Sequence, residues 1–184
     1  MSPPITETYI SVDIETAGPN PAEYALLSLG ACTLAETPQT FYIEFQPQHA
    51  RITAEARQVS RLDPLELQQR GLPPAEAMRQ FADWLAQATP TGSQPVFVAF
   101  NAAFDWMFVS DYFHRYLGYN PFGHKALDIK AFYMGLKRVP WQQTGMSNLA
   151  GQYLAGQALQ HHALQDALDQ AKIFRQLLIE AGLW

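Results

Sequence analysis

The sequence predicts an α/β domain built on a mixed sheet, and three observations favour that class. Strand-like segments fill the first 45 residues, whereas strands alternate with helix-like segments in the rest of the chain. The 48% hydrophobic and 16% charged composition is typical of a globular protein. The length of 184 residues suits one domain with a sizeable core, so we expect residues 1–184 to form a single domain.

The first predicted strand, YISVDIETAG at residues 9–18, carries two carboxylates near its end. Successive side chains of a strand point to opposite faces, so Ile10 and Ile14 share one face while Asp13 and Glu15 share the other. Two like charges held side by side are unfavourable unless a cation or hydrogen-bond donors lie between them. The strand therefore predicts that a cation or hydrogen-bond donors lie next to Asp13 and Glu15.

Two further strands follow closely. Residues 18–24 are rich in turn formers, residues 25–34 (ALLSLGACTL) suit a second strand, and residues 40–45 (TFYIEF) suit a third. Short sequential connections of this kind favour antiparallel pairing. The first three strands are thus predicted to form a meander.

The pattern then changes to helix. Residues 52–62 (ITAEARQVSRL) predict one short amphipathic helix, and residues 73–87 open with prolines suited to a first turn. A turn over TPTGSQ follows that second helix. These segments are predicted to supply the helices that cover the sheet.

The remaining chain alternates strand and helix. Residues 96–100 form a continuous apolar run, which predicts a strand buried on both faces, and a helix ending at Gly118 follows. Residues 126–136 predict a short strand passing into a helix, and Ser147 is the expected N-cap of a brief helix. Residues 164–182 show clear helical periodicity.

Charge and composition limit the function classes. A net charge of −5 argues against a broad basic surface, although it allows a site in which metal ions provide the positive charge. The single Cys32 supplies no disulfide or thiolate cluster and is expected to be a small buried hydrophobe. Because no leader-like or bilayer-spanning segment is visible, we expect a soluble cytoplasmic protein without membrane partners.

Four acids stand at strand ends or on helices that must pack against the sheet: Asp13, Glu15, Asp105 and Asp166. Taken singly, each has an ordinary explanation, such as a helix cap for Asp105 or a solvated helix face for Asp166 and Asp169. Taken together, they predict a rigid cluster of oxygen ligands of the kind that hard divalent cations prefer. Two such ions can stabilise both the attacking and the leaving oxygen of a phosphoryl displacement.

Three motifs in this order resemble those of the DEDDh 3′-5′ exonucleases, a superfamily that includes the proofreading subunit of bacterial DNA polymerase III, ribonuclease T and oligoribonuclease. They are DIET at residues 13–16, NAAFD at residues 101–105, and H-x4-D-A from His161 to Ala167. The resemblance covers nearly the whole chain. It implies a ribonuclease H-like fold, with a mixed central sheet flanked by helices, and metal-dependent hydrolysis from the 3′ end of single-stranded DNA or RNA.

The resemblance also implies roles for individual residues. Two ions, Mg²⁺ or Mn²⁺, would be held by four carboxylates, and His161 would act as the general base on water, since an imidazole can accept a proton near neutral pH. The four implied ligands are Asp13, Glu15, Asp105 and Asp166. The implied substrate-binding residues, next to the terminal nucleotide, are Thr16, Asn101 and Phe104. The product would be a nucleoside 5′-monophosphate, and the enzyme a monomer or homodimer.

Two details leave alternatives open. If HHALQDA were helical throughout, His162 and Asp166 would share a helix face, whereas the family pattern selects His161 on a loop before the helix. Family members often have His before the Asn of the middle motif, where this chain has Phe100. That difference leaves the four acids intact but removes a polar contact from the expected site.

Two other functions compete with the exonuclease prediction: a non-catalytic nucleic-acid-binding subunit on the same fold, and a hydrolase of a small phosphodiester or nucleotide. The intact acids and histidine argue against a pure binder, because uncompensated carboxylates repel phosphate. We expect the four tryptophans to pack in the core or at an interface, and LKRVPW at residues 136–141 to be an ordinary solvated loop. The sequence leaves the choice between RNA and DNA open.

Overall fold

The computed structural model describes residues 6–156 and 160–184. In these residues a five-stranded sheet has the spatial order β3-β2-β1-β4-β5. The strands are β1 (Thr6–Thr16), β2 (Leu26–Thr33), β3 (Thr40–Glu44), β4 (Ser93–Ala99) and β5 (Ala126–Asp128). The first three pair antiparallel, whereas β4 and β5 run parallel to β1, so the predicted meander and mixed sheet are confirmed.

Helices lie on both faces of the sheet. They are α1 (Ala54–Val59), α2 (Pro64–Arg70), α3 (Pro74–Ala88), α4 (Ala102–Leu117), α5 (Ile129–Lys137), α6 (Met146–Tyr153) and α7 (Ala163–Glu180), with a short 3-10 helix at Trp141–Thr144. Across residues 6–156 and 160–184, no helix has both the length and the apolar character needed to cross a bilayer.

The alternation of β1 divides the core into two parts. Ile10, Val12 and Ile14 pack with residues of α3 and α4 on one side of the sheet. On the other side, the Ser11 hydroxyl donates a hydrogen bond of 2.8 Å to the Ala167 carbonyl of α7. The predicted separation of apolar and polar faces along this strand is therefore confirmed, and the polar face lies against α7.

The central strand β4 is buried on both faces, as predicted from its continuous apolar run. Phe97 and Ala99 belong to the part of the core under α3 and α4, while Val98 belongs to the part under α5 to α7. At its carboxyl end the chain turns directly into α4. Because Val98 pairs with Ser11, the end of β4 lies beside β1 just before Asp13 and Glu15.

The short helix predicted within residues 52–62 is confirmed as α1, whereas the sequence analysis named no helix for α2, which follows at Pro64–Arg70. Helix α1 ends at Val59, and Ser60 is extended with φ −74° and ψ 130°. Pro64 opens α2, and its ring restricts Asp63 to an extended conformation, from which the Asp63 side chain caps the new helix. This Asp63–Pro64 start signal was present in the sequence, just after the segment predicted as a helix.

The expected N-cap at Ser147 is wrong. Helix α6 begins at Met146 with Gly145 as its N-cap, and no side chain caps it. The 3-10 helix ends at Thr144, and Gly145 is extended with φ −65° and ψ 149°, so one residue suffices to connect the two helices. Ser147 is exposed within the first turn instead.

Helix α7 lies directly on β2 at Gly30. A Cβ atom at this position would lie 2.2 Å from the Leu164 backbone nitrogen and 2.3 Å from the Ala163 carbonyl carbon. Only glycine permits such an approach without a shift of the backbone. Because Gly30 pairs with Asp13 across β1 and β2, this contact fixes the first turn of α7 beside that carboxylate.

Candidate active site

A cavity of about 540 Å³ opens where β1 ends and α7 begins. Asp13 and Glu15 reach it from the α7-facing side of β1, Asp166 from the first turn of α7, and His161 from the residues just before that helix. Three separate elements of the sequence are thus brought to one point. A change of strand register between Glu15 and Thr16 ends the regular pairing there.

His161 and His162 take different positions. His161 has φ 54°, a left-handed conformation that histidine tolerates better than most residues, and α7 begins two residues later at Ala163. Ligand atoms of Glu15, His161 and Asp166 all lie within 4.8 Å of one another. His162 instead stacks on Tyr42, with ring centroids 4.8 Å apart. The geometry therefore groups His161, and not its neighbour, with the acids.

Asp105 approaches from the opposite layer, on the first turn of α4. Asn101 connects β4 to this helix in the left-handed conformation, with φ 63° and ψ 49°, which asparagine adopts more readily than most residues. The Ala102 backbone nitrogen then donates a 2.6 Å hydrogen bond to the Asp128 carboxylate. These contacts fix the start of the helix, and the Asp105 side chain beside it is only 5% exposed.

Burial and mutual repulsion raise the pKa values of three of the acids. The pKa of Asp13 lies well above its ordinary value, first because of desolvation and then because Asp105, Asp166 and Glu15 are close. Burial raises the pKa of Asp105 to about 8, against opposing hydrogen bonds from the backbone. Burial, followed by the charge of Asp166, raises the pKa of Glu15 to about 7.

The donor set fits divalent cations. Asp13, Glu15 and Asp166 line the cavity, with no lysine or arginine among its lining residues, and the buried Asp105 is close enough to raise the pKa of Asp13. A cation would offset the repulsion that, after desolvation, contributes to these raised pKa values. Carboxylate oxygens are the ligands that Mg²⁺ and Mn²⁺ prefer. Oxygens of Glu15 and Asp166 lie within 4.8 Å of each other and of a His161 ring nitrogen, and Asp13 lines the same cavity.

Comparison with known proteins identifies the family. A family model described as the 3′-5′ exoribonuclease Rv2179c-like domain matches residues 8–178, from the first strand to the last helix. The chain belongs to this family. The 3′-5′ DNA exonuclease Cap18 of Escherichia coli is 41% identical over 169 residues, which are 92% of this chain and 90% of that protein. The prediction of a 3′-5′ exonuclease is thereby confirmed.

Solved structures of similar fold agree with this assignment. The nuclease domain of 3′hExo, a DEDDh family member bound to rAMP, matches with a TM-score of 0.78 at 16% identity, covering 99% of this chain and 96% of that one. The zinc-bound complex of E. coli ExoI with single-stranded DNA matches with a TM-score of 0.67 at 18% identity, covering 96% of this chain and 41% of that one. The predicted ribonuclease H-like fold is confirmed.

In this member of the Rv2179c-like family, the remaining predicted site residues are only partly brought together. Thr16 and Phe104 line the cavity, and the Thr16 hydroxyl donates a 2.9 Å hydrogen bond to the Gly18 carbonyl. Asn101 is exposed and is not among the residues that line the cavity. In the structure it forms the turn before α4. Its role in substrate binding stays a prediction.

Two features of the site were missed at the sequence level. The short helix α1 forms one cavity wall through residues such as Val59, which is 45% exposed. Gln170, which is 1% exposed, donates a 2.6 Å hydrogen bond to Asp13 and accepts one of 2.9 Å from the Phe100 backbone nitrogen. Its spacing four residues after Asp166 placed it on the same face of α7, which was an available signal.

The prediction for Asp169 is wrong. This residue was expected on a solvated helix face but is only 2% exposed, because α7 packs closely against the sheet. Lys172 and Gln165 donate hydrogen bonds of 2.8 and 3.3 Å to it. It is therefore a paired structural acid outside the cavity.

Proposed function

We propose that this protein hydrolyses phosphodiester bonds one nucleotide at a time from the 3′ end of single-stranded nucleic acid. The observation that carries the proposal is the convergence of Asp13, Glu15, Asp166 and His161 on one cavity, with the buried Asp105 close to Asp13. Family membership supports the direction of attack and the class of reaction. DNA is the polymer to test first, because the relative with 41% identity is a DNA exonuclease.

Asp13, Glu15, Asp105 and Asp166 would hold two divalent ions, Mg²⁺ or Mn²⁺. Bound ions would neutralise charge on the phosphate and on the leaving oxygen. The raised pKa values of Asp13, Glu15 and Asp105 support this role, because burial, followed by the charge of neighbouring acids, makes the ionised forms unfavourable and a bound cation would favour them. Asp166 accepts a 2.9 Å hydrogen bond from the Gln160 backbone nitrogen, which orients its carboxylate.

His161 would accept the proton of the attacking water. Its ring is exposed, and a ring nitrogen lies within 4.8 Å of carboxylate oxygens of Glu15 and Asp166. It can therefore reach a water molecule next to the acids and release the proton to solvent afterwards. His162 lacks this position because it stacks on Tyr42.

The terminal nucleotide would occupy the cavity between Phe104 and helix α1. Phe104 is half-buried and packs on Phe108, with ring centroids 5.5 Å apart, so its ring is held in place. An aromatic ring in this position offers a stacking surface for any base, worth about 1 to 3 kcal/mol. The apolar side chain of Val59 faces the same space.

The test is a time course on single-stranded DNA and RNA oligonucleotides labelled at the 5′ end, with Mg²⁺, with Mn²⁺ or with a chelator. Wild type should shorten the labelled strand stepwise only when metal is present, and a 3′ label should leave as a mononucleotide from the start. Asp13→Ala should abolish the reaction. His161→Ala should slow it by about 10²- to 10⁴-fold, the usual contribution of a general base.

His162→Ala is the matched control, because it removes the adjacent ring and should leave the rate close to wild type. If wild type binds both oligonucleotides and cleaves neither, the protein is a binding subunit and the proposal fails. If it cleaves a dinucleotide but leaves longer strands intact, it is a hydrolase of small phosphodiesters instead.

A further inference from the structure

The charge of the chain is unevenly distributed. Between Asp111 and Asp166 the sequence contains one acid, Asp128, although the whole chain has a net charge of −5. The same segment contains five basic residues: Arg115, Lys125, Lys130, Lys137 and Arg138. The Asp128 carboxylate accepts hydrogen bonds from the backbone nitrogens of Ala102 and Ala131, so both of its oxygens have partners within the fold. Arg115 and Lys137 pair with Asp111 and Glu180, which leaves Lys125, Lys130 and Arg138 outside the ion pairs found among the described residues.

Within this segment, Lys130 approaches two aromatic rings. Its Nζ atom lies 4.2 Å from the ring centroid of Trp141 and 5.5 Å from that of Phe100. The Trp141 side chain remains 48% exposed. Trp84 and Trp106 pack against the core, as expected, whereas the placement of the exposed Trp141 and Trp184 at an interface stays a prediction. We call Phe100, Lys130 and Trp141 the aromatic–lysine stack.

The aromatic–lysine stack adjoins the acidic site. The Phe100 backbone nitrogen donates to Gln170, and the same glutamine donates to Asp13. Asp128, two residues before Lys130, holds the first turn of α4, which carries Asp105. Hydrogen-bonded residues thus connect the stack to the acids, although Phe100, Lys130 and Trp141 do not themselves line the cavity.

We propose that the aromatic–lysine stack binds the single strand upstream of its 3′ end, an inference that rests on the proposed function. An exposed indole can stack on a base without regard to sequence, and Lys130 keeps N–H donors for a backbone phosphate. Charge selects this occupant, because basic side chains beside an exposed ring match a polyanion with unstacked bases. Phe100, whose ring centroid lies 5.5 Å from the Lys130 Nζ atom, forms the inner end of the stack.

Binding can be measured without hydrolysis, by fluorescence anisotropy of 5′-labelled thymidine oligomers of three and ten nucleotides in chelator at low salt. Trp141→Ala should weaken binding of the ten-nucleotide oligomer by roughly tenfold, within the range of one base–aromatic contact, and that of the shorter oligomer by less. Trp141→Phe should retain affinity close to wild type, because it keeps a ring. Trp141→Phe should also reduce the decrease in intrinsic tryptophan fluorescence that accompanies binding.

Lys130→Ala tests the electrostatic interaction separately. If Lys130 neutralises one phosphate of a single strand, its removal should reduce the slope of log K against log salt by about 0.7. Trp184→Ala and Arg79→Gln are matched controls, since both residues are exposed and neither belongs to the basic segment. Both controls should bind the longer oligomer as wild type does.

The outcomes separate this inference from the proposed function. If Trp141→Ala binds the longer oligomer as tightly as Trp184→Ala does, the inference is overturned, whether or not the wild type is a nuclease. If wild type fails to cleave but Trp141→Ala and Lys130→Ala still weaken binding, the surface stands and the catalytic proposal fails. Unchanged circular dichroism and melting temperature of the variants would show that the weaker binding has a local cause.

Discussion

Gln170 occupies a special position among the residues of the site. It is the only side chain among the described residues that donates a hydrogen bond to Asp13, and its amide is oriented by the Phe100 backbone nitrogen, which donates to its oxygen. The bond to Asp13 lowers the pKa of that carboxyl, against burial and three neighbouring acids that raise it. The glutamine therefore orients the carboxylate in the form that a cation needs.

Gln170→Leu should weaken binding of Mn²⁺ by about 10- to 100-fold, the usual effect of removing a group that orients a metal ligand. The variant keeps the volume of the side chain but leaves both Asp13 and the Phe100 nitrogen without this partner. Calorimetric titration with Mn²⁺ measures the effect directly, without reliance on activity.

Gln165→Leu provides the matched control. It removes a glutamine of the same helix whose partner, Asp169, lies outside the cavity. It should bind Mn²⁺ as wild type does. Equal Mn²⁺ affinity of the two variants would show that Gln170 has no part in orienting Asp13.

Residue-level prediction succeeded where the signal was local. The alternation of β1 was enough to put Asp13 and Glu15 on one face, and the family motif selected, from two adjacent histidines, the one that lies beside the acids. Gln170 and Asp128 were missed because their partners lie 157 and 26 residues away along the chain. Such partners become visible only when the elements are packed.

At the level of secondary structure, the contact between β2 and α7 sets the positions of several residues of the site. Helix α7 carries Asp166, and His161 precedes it, so both depend on how closely the helix approaches the sheet. Gly30 permits that approach and pairs with Asp13 on the neighbouring strand. A side chain here would move the helix away from β1.

Gly30→Ala should destabilise the fold by at least about 2 kcal/mol, since the new methyl group would overlap backbone atoms that cannot move aside. It should also reduce Mn²⁺ affinity in the fraction that folds, because Asp166 and Asp13 would separate. Urea denaturation with and without Mn²⁺ measures both effects. Gly135→Ala, at an open position of α5, is the control and should stabilise by up to about 1 kcal/mol.

Element prediction was accurate for the sheet and weaker for the short helices. The five strands had distinctive apolar runs or alternation, and the structure has them in the expected places. Helix α1 has no buried residue, so its formation depends on the Thr53 cap and the surrounding chain more than on an apolar stripe. A periodic pattern cannot locate the end of such a helix.

At the scale of the whole molecule, the distribution of acidic and basic residues agrees with the proposed function. Acids converge at one end of the sheet, and the segment with almost no acids lies next to them. The overall charge of −5 argued against a broad basic surface and gave no sign of this segregation. Net charge averages over the chain, whereas a strand of nucleic acid contacts one side of it.

The acidic cluster should make the stability of the metal-free protein depend on pH in an unusual direction. The folded pKa values of Glu15 and Asp105, about 7 and about 8, exceed the ordinary values of 4.5 and 3.8. The folded state therefore binds more protons than the unfolded state between these limits, and the free energy of unfolding falls as the pH rises. This contribution is fully present below about pH 4 and lost by about pH 8.

Metal-free protein should accordingly lose stability between about pH 4.5 and 8, and Mn²⁺ should restore it at the upper end. The shift of Glu15 alone corresponds to about 3 kcal/mol, since one pKa unit equals about 1.4 kcal/mol. Urea denaturation at several pH values, with chelator or with Mn²⁺, gives the free energy of unfolding in each case.

Glu15→Gln should weaken the pH dependence of the free energy of unfolding in chelator. Glu55→Gln, at an exposed acid of the α1 wall, should leave that dependence as in wild type. A wild-type protein that becomes more stable over this pH range in chelator would show that the cluster is already compensated within the fold, and the case for bound cations would then fail.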